Sequence, residues 1–166
     1  MTQATAAAYY RYGMEAGLCT IDDAKEWAFS VVASLEEPPI HVIDVATSQT
    51  FEDAHANLAA AARDADVSFA GACLLETISN ALKSGEMPLR PALRSAMQVA
   101  RSTSMSRDVY YAFDGVEDAL SLAESQTYGT VEQACAYAIE EFGRFSACGE
   151  VQSNNSLKRT NQSLRD

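Results

Sequence analysis

The chain has 166 residues, 48% of them hydrophobic, and a formal net charge of −11. That length suffices to bury a core within one domain, and the apolar share is ordinary for a globular protein. The acidic balance argues against a nucleic-acid binder, which needs a basic face to displace counterions, and no apolar run is long enough to cross a membrane.

The first expected helix covers residues 4–17, where alanines lead into Tyr9, Tyr10, Tyr12 and Met14. Gly17 suits its C-terminal cap, because glycine takes the left-handed conformation cheaply. The tyrosines are expected half in the core and half on its rim. Arg11 and Glu15 inside this segment do not fit a secretion signal. Cys19, Cys73, Cys135 and Cys148 are scattered without a CxxC pair. They read as reduced, buried thiols in a cytoplasmic protein.

The stretch from Thr20 to Val45 carries the clearest pattern. Thr20 followed three residues later by Asp23 is a capping-box signature, and Asp22 and Asp23 suit the positive end of a helix dipole. Ala24, Trp27, Ala28, Val31, Val32 and Leu35 then recur along one stripe of a 3.6-residue helix. Trp27, the only tryptophan, is expected to anchor the core. Pro38 and Pro39 stop this helix. The short link between the first two helices implies an antiparallel hairpin. The run from Ile40 to Val45 has strand propensity, but no second strand candidate exists to satisfy its backbone. A short helix or an irregular segment is therefore expected; in a helix Ile40 and Ile43 would share one side.

Thr50 to Asp53 is a second cap signature, and Phe51, Ala54, Leu58, Ala61 and Ala62 follow at helical spacing. Val67, Ala70, Leu74, Ile78 and Leu82 mark the next helix, which Gly85 ends. Leu89, Leu93, Met97 and Ala100 mark another, with Pro91 tolerated in its first turn. Its Arg90, Arg94 and Arg101 are expected on a solvated face or in salt bridges. After a polar break from Thr103 to Ser106 comes a long segment through Val109, Phe113, Val116 and Leu120. Asp114-Gly115 is a turn signal at which it could divide in two. Thr130 to Gln133 is a further capping box, opening a helix through Ala134, Ala138, Phe142 and Phe145. The reading is an all-α fold: a compact bundle of about eight short helices in antiparallel hairpins, without significant sheet, filling a single domain over 1–148. Residues 149–166 form a polar extension, expected to be mobile, with a small duplication (Asn154 to Lys158, Asn161 to Arg165).

No motif carries chemistry. His41 and His55 are too few and too far apart for a zinc signature. His41 and Asp44, three residues apart, lack a marked nucleophile. There is no phosphate-binding glycine loop, dinucleotide fingerprint or calcium loop. No catalytic residue, cofactor or metal is assigned.

The succession YYRYGMEAGLCTIDDAKEWAFSVV and EEPPIHVIDVATS resembles small bacterial proteins encoded beside secreted or contact-delivered toxins. The likeness covers residues 9–48. It rests on Tyr9, Tyr10, Gly13, Gly17, Leu18, Trp27, Pro38, Pro39, Ile43 and Asp44. It implies an immunity protein: compact, cytoplasmic, acidic, binding and blocking one toxin. None of these positions is a recognition signature, so the resemblance assigns no functional residue.

The charge permits a basic partner, and for an immunity-type module the candidate contacts are the acids around the Pro-Pro turn, Glu36, Glu37 and Asp44, with Asp22, Asp23 and Glu26 on the preceding helix. Two other readings stay open. One is a self-associating helical scaffold, acting as a homodimer. The other is an enzyme with an unmarked site between helices.

Overall fold

A computed structural model describes residues 1–146 of the chain. It contains eight helices: α1 Gln3–Glu15, α2 Ile21–Ser34, α3 Ile40–Thr47, α4 Phe51–Ala61, α5 Val67–Ser84, α6 Leu89–Ser102, α7 Arg107–Glu124 and α8 Val131–Phe145. No strand occurs among the described residues, and the all-α expectation is met. The extension expected over 149–166 lies outside the described residues, as does Cys148. The chain gathers into two compact units. The first comprises Met1–Leu74 and Gln98–Met105; the second comprises Leu75–Met97 and the chain from Ser106 onward. Helices α5 and α6 each contribute to both.

Local signals placed most helix ends in the first unit. Thr20 caps α2 by accepting from the Asp23 amide, while Asp23 accepts from the Thr20 amide at 2.7 Å, so two otherwise unpaired donors are satisfied reciprocally. Thr50 caps α4 by accepting from the Asp53 amide, without the reciprocal bond. Gly17 takes φ +71° just past α1. The Leu18 and Gly17 amides return to the Gly13 and Met14 carbonyls, which closes the helix end. The Pro-Pro pair separates α2 from α3, and 40–47 is helical rather than extended.

The core of this unit is built on small residues. In one core cluster of nine buried residues five, Ala7, Ala24, Ala28, Ala46 and Ala54, are alanines, and these allow helix axes to approach closely around Met14, Val42, Val45 and Leu58. Two expectations shift here. Trp27 is only half-buried and packs against the core from its edge. The stripe is centred on Ala24 and Ala28, so the bulkiest residue lies on the flank and the smallest face the neighbouring helices. In α3 the buried side is Val42, Val45 and Ala46, whereas Ile40 is exposed. The expected α1–α2 hairpin is also secondary, since α1 packs chiefly on α4, and α2 on α3.

Polar ties reinforce the α1–α4 pairing. The buried Thr5 hydroxyl accepts from the Asp66 amide at 3.1 Å. His55 Nε2 lies 2.6 Å from Glu15 Oε1 and 3.3 Å from Arg11 Nε, with the Phe51 ring stacked on the imidazole. Gly71 on α5 permits another close approach. A Cβ there would meet Thr103 Oγ1 at 2.4 Å. Thr103 is fully buried, and its hydroxyl donates to the Val99 carbonyl.

In the second unit α7 and α8 pack together over an aromatic centre. Phe113 and Phe142 are both fully buried, with ring centroids 4.6 Å apart, and Phe145 meets Phe113 edge-on. Val109, Val116 and Leu120 continue the buried face of α7; Ala134 and Ala138 continue that of α8. Helix α7 runs unbroken through the turn signal at Asp114-Gly115. The i, i+3 and i+4 apolar spacing on both sides of Gly115 keeps one face buried, and that outweighs the propensity cost of one glycine. The capping box of α8 forms as expected, with Gln133 accepting from the Thr130 amide. Arg90 reaches Glu117 at 3.1 Å and Glu124 at 2.7 Å, so the first of the three arginines is a salt-bridge residue.

Candidate functional site

The acids expected to meet a partner all belong to the first unit. That unit holds eleven acidic and four basic residues, and an anionic field therefore surrounds whatever it binds. Helix α2 points Ala24 and Ala28 inward, and Asp22, Asp23 and Glu26 fall outside the buried stripe and are exposed. Glu36 and Glu37 follow the last turn of α2 and are exposed before the two prolines. Asp44 is half-buried on α3.

The structure distributes these carboxylates over two clefts and an open turn. Asp23 and Glu26 share a cleft of about 330 Å³ with Tyr10, Trp27 and Ser30. Asp44 lines a separate cleft of about 350 Å³ between α3 and α4, with Thr47, Ser48, Gln49, Asp53 and Asn57. Asp22, Glu36 and Glu37 line neither. Both clefts are acidic and neither is lined by a basic side chain.

In the first cleft the Tyr10 and Trp27 rings stack, with centroids 5.3 Å apart and planes inclined by 29°. The Asp23 carboxylate is held by the backbone amide and the hydroxyl of Thr20, each bond 2.7 Å and each on Oδ2. These bonds pull its pKa below the usual aspartate value, so the group carries its charge. Burial first, and then the Asp23 charge, push the Cys19 thiol up to about 11. Burial likewise raises the Tyr10 phenol, with the charges of Cys19, Tyr9, Asp23 and Glu26 acting in the same direction. At neutral pH the cleft thus presents a neutral phenol beside the ionised Asp23 carboxylate. Cys19, Cys73 and Cys135, expected to be buried, are half-buried and in no disulfide among the described residues.

Sequence reasoning found Asp23 and Glu26 but missed Tyr10 and Ser30 as their neighbours, and it placed Trp27 inside. Part of the signal was present. Trp27 is four residues after Asp23, and Ser30 four after Glu26, a spacing that puts all four on one flank of α2. Tyr10 could not be added, because it arrives from another helix.

Apolar groups accompany the acids. Phe29 is 56% exposed, Leu35 43% and Ile40 62%, on α2, at its C-cap and at the first residue of α3. His41 and Asp44 share no hydrogen bond among the described residues, and neither histidine lines either cleft. No group of three or more His, Cys, Asp or Glu among the described residues is arranged to hold a metal ion. No described helix is long and apolar enough to cross a membrane. Comparison of the chain with protein-family models, with curated proteins and with solved structures gives no match.

Proposed function

We propose that this protein is a non-catalytic binding module that captures a basic protein through its first unit, as an immunity protein captures a toxin. The observation that carries the reading is one continuous stretch, Asp22 to Ile40. It exposes Phe29, Leu35 and Ile40 among the exposed carboxylates of Asp22, Glu26, Glu36 and Glu37. Scattered exposed carboxylates alone serve solubility. Large apolar side chains interleaved with them supply what an interface needs, dewettable contact area within a charged surround. The sign of the charge selects the partner. Two copies of this chain would bring like-charged faces together, which repel, whereas a basic protein is attracted from a distance.

The test begins with affinity capture by the full chain from its native cell, followed by timed association of the recovered partner. A basic partner is expected, with an on-rate that falls about ten-fold or more between low and physiological salt. Glu36→Lys with Glu37→Lys should slow association and leave the helical circular dichroism unchanged, because both side chains are exposed. Phe29→Ser with Ile40→Ser should speed dissociation. An on-rate indifferent to salt would remove the acids from the interface. A stable dimer in sedimentation, with no basic partner, would put self-association in place of this reading.

A further inference from the structure

We propose that the cleft of Tyr10, Asp23, Glu26, Trp27 and Ser30 receives one arginine side chain of the basic partner; the inference rests on the reading above and names the anchor of that interface. The cleft joins three features that each favour a guanidinium. Its lining holds two carboxylates and no cation, so an anion is repelled. An apolar ligand would strip water from the carboxylates and give nothing in return. A donor-rich ligand is what remains, and the two carboxylates favour one that is positively charged.

The rings choose among cations. Tyr10 and Trp27 lie nearly parallel and are half-buried, so part of the aromatic surface stays open. A planar guanidinium stacks on such surface, while an ammonium is a compact, strongly hydrated point charge. The acceptors match as well. Both Thr20 bonds fall on Asp23 Oδ2, which fixes the carboxylate in place with Oδ1 still able to accept. Ser30 Oγ donates to the Trp27 carbonyl at 2.6 Å, so its hydroxyl hydrogen is committed and its lone pairs remain for a donor. Arginine brings five N–H donors and no acceptor. The site meets it with acceptors whose positions are set beforehand, which reduces the ordering cost of binding.

The rest of the surroundings agrees. The Thr20 bonds that hold Asp23 also keep it ionised. Trp27 packs against the core edge and also lines the cleft. A tryptophan in that position, ringed by polar groups, has the character of a binding hot spot.

The only tryptophan of the chain reports on its own site. The full chain is titrated with N-acetyl-arginine methylamide, with the citrulline analogue, which has the same shape without the charge, and with the lysine analogue, while Trp27 emission is followed. The arginine probe should give a saturable change that weakens with added salt. Citrulline should bind about ten-fold more weakly or not at all, and lysine should fall between, in line with the loss of charge and of stacking. Glu26→Gln, at an exposed position, should weaken the arginine response several-fold and leave the melting temperature in place. Equal or unsaturable responses to arginine and citrulline would overturn the site.

The captured partner supplies the second arm. Trp27→Leu and Glu26→Gln should weaken its binding about 5- to 30-fold, the range of a partly desolvated cation–π contact. Circular dichroism checks that each variant is folded. A basic partner held as tightly by both variants as by the parent would overturn the arginine site and leave the proposed function standing. A saturable arginine response with no basic partner in the cell would do the reverse.

Discussion

The bulk of a side chain and its depth part company in this protein. Trp27 is the largest residue and sits at the edge of its core, whereas Phe113 and Phe142 are fully enclosed and in contact. Phe113→Ala should therefore cost about 3–5 kcal/mol, and Trp27→Ala a smaller amount, about 1–2 kcal/mol, since only part of its surface is withdrawn from water. Urea unfolding of the two variants gives the comparison. An equal or larger loss at Trp27 would place it in the core and remove it from the cleft. Cys19 makes a second expectation at this scale. Its thiol titrates near 9.0 when unperturbed and at about 11 in the fold. Between those values the folded chain retains a proton that the unfolded chain has lost. Stability is thus complete below about pH 9 and declines as the pH climbs towards 11. The raised phenol of Tyr10 adds to the decline. The urea midpoint should drop between pH 8.5 and 10.5, and Cys19→Ala should drop less; a parallel drop in both would assign the effect elsewhere.

Among the helices, caps and glycines divide into positions that hold the fold and positions that merely tolerate it. Thr20 satisfies the start of α2 and fixes Asp23, so Thr20→Ala should cost about 0.5–2 kcal/mol, as cap removal usually does. If the arginine site is real, the same variant should weaken it, because the Asp23 carboxylate would lose its hold. The helical glycines give a sharper contrast. At Gly115 an added Cβ meets nothing within 4 Å; at Gly71 it strikes the buried Thr103, and at Gly13 it would lie 2.6 Å from Cys19 Sγ. Gly115→Ala should raise stability by about 0.5–1 kcal/mol, the ordinary gain in a helix interior. Gly71→Ala should lower the melting temperature, because a buried hydroxyl committed to a carbonyl has little room to move. A gain at Gly71 would show that α5 and the Gln98–Met105 segment are less closely packed than described.

For the whole chain the governing quantity is its charge of −11. Surface charges act over a Debye length of about 10 Å at 0.1 M salt, so the excess of acids steers an approaching basic protein only at modest ionic strength. Stability should respond to salt in the opposite sense. Screening relieves repulsion among the acids, and the melting temperature of the free chain should rise modestly from low to moderate sodium chloride. A fall over that range would mean that ion pairs such as Arg90 with Glu117 and Glu124 outweigh the repulsion. The exposure of those pairs argues that they do not.

Where the helices begin and end was legible in the sequence at Thr20, Thr50 and Thr130, at Gly17 and Gly85, and at Pro38-Pro39. Caps and breakers act within about four residues, the reach of one helical hydrogen bond, so the local sequence suffices to place them. A local turn signal was overridden at Asp114-Gly115, where the apolar face of α7 carries the helix through. The sequence also supplied the acids of the candidate site and the sign of their charge. It did not determine which side of a stripe would be deepest, since alanines at its centre and a tryptophan at its edge satisfy the same periodicity. That was decided by which helices pack together: close approach across Ala24 and Ala28 leaves no room for an indole, and displaces Trp27 to the flank. Nor could it bring Tyr10 to Asp23, Glu26 and Trp27. Side chains on different helices meet only through packing, and the cleft exists because α1 delivers the phenol to a flank of α2 that the sequence had already lined with acid.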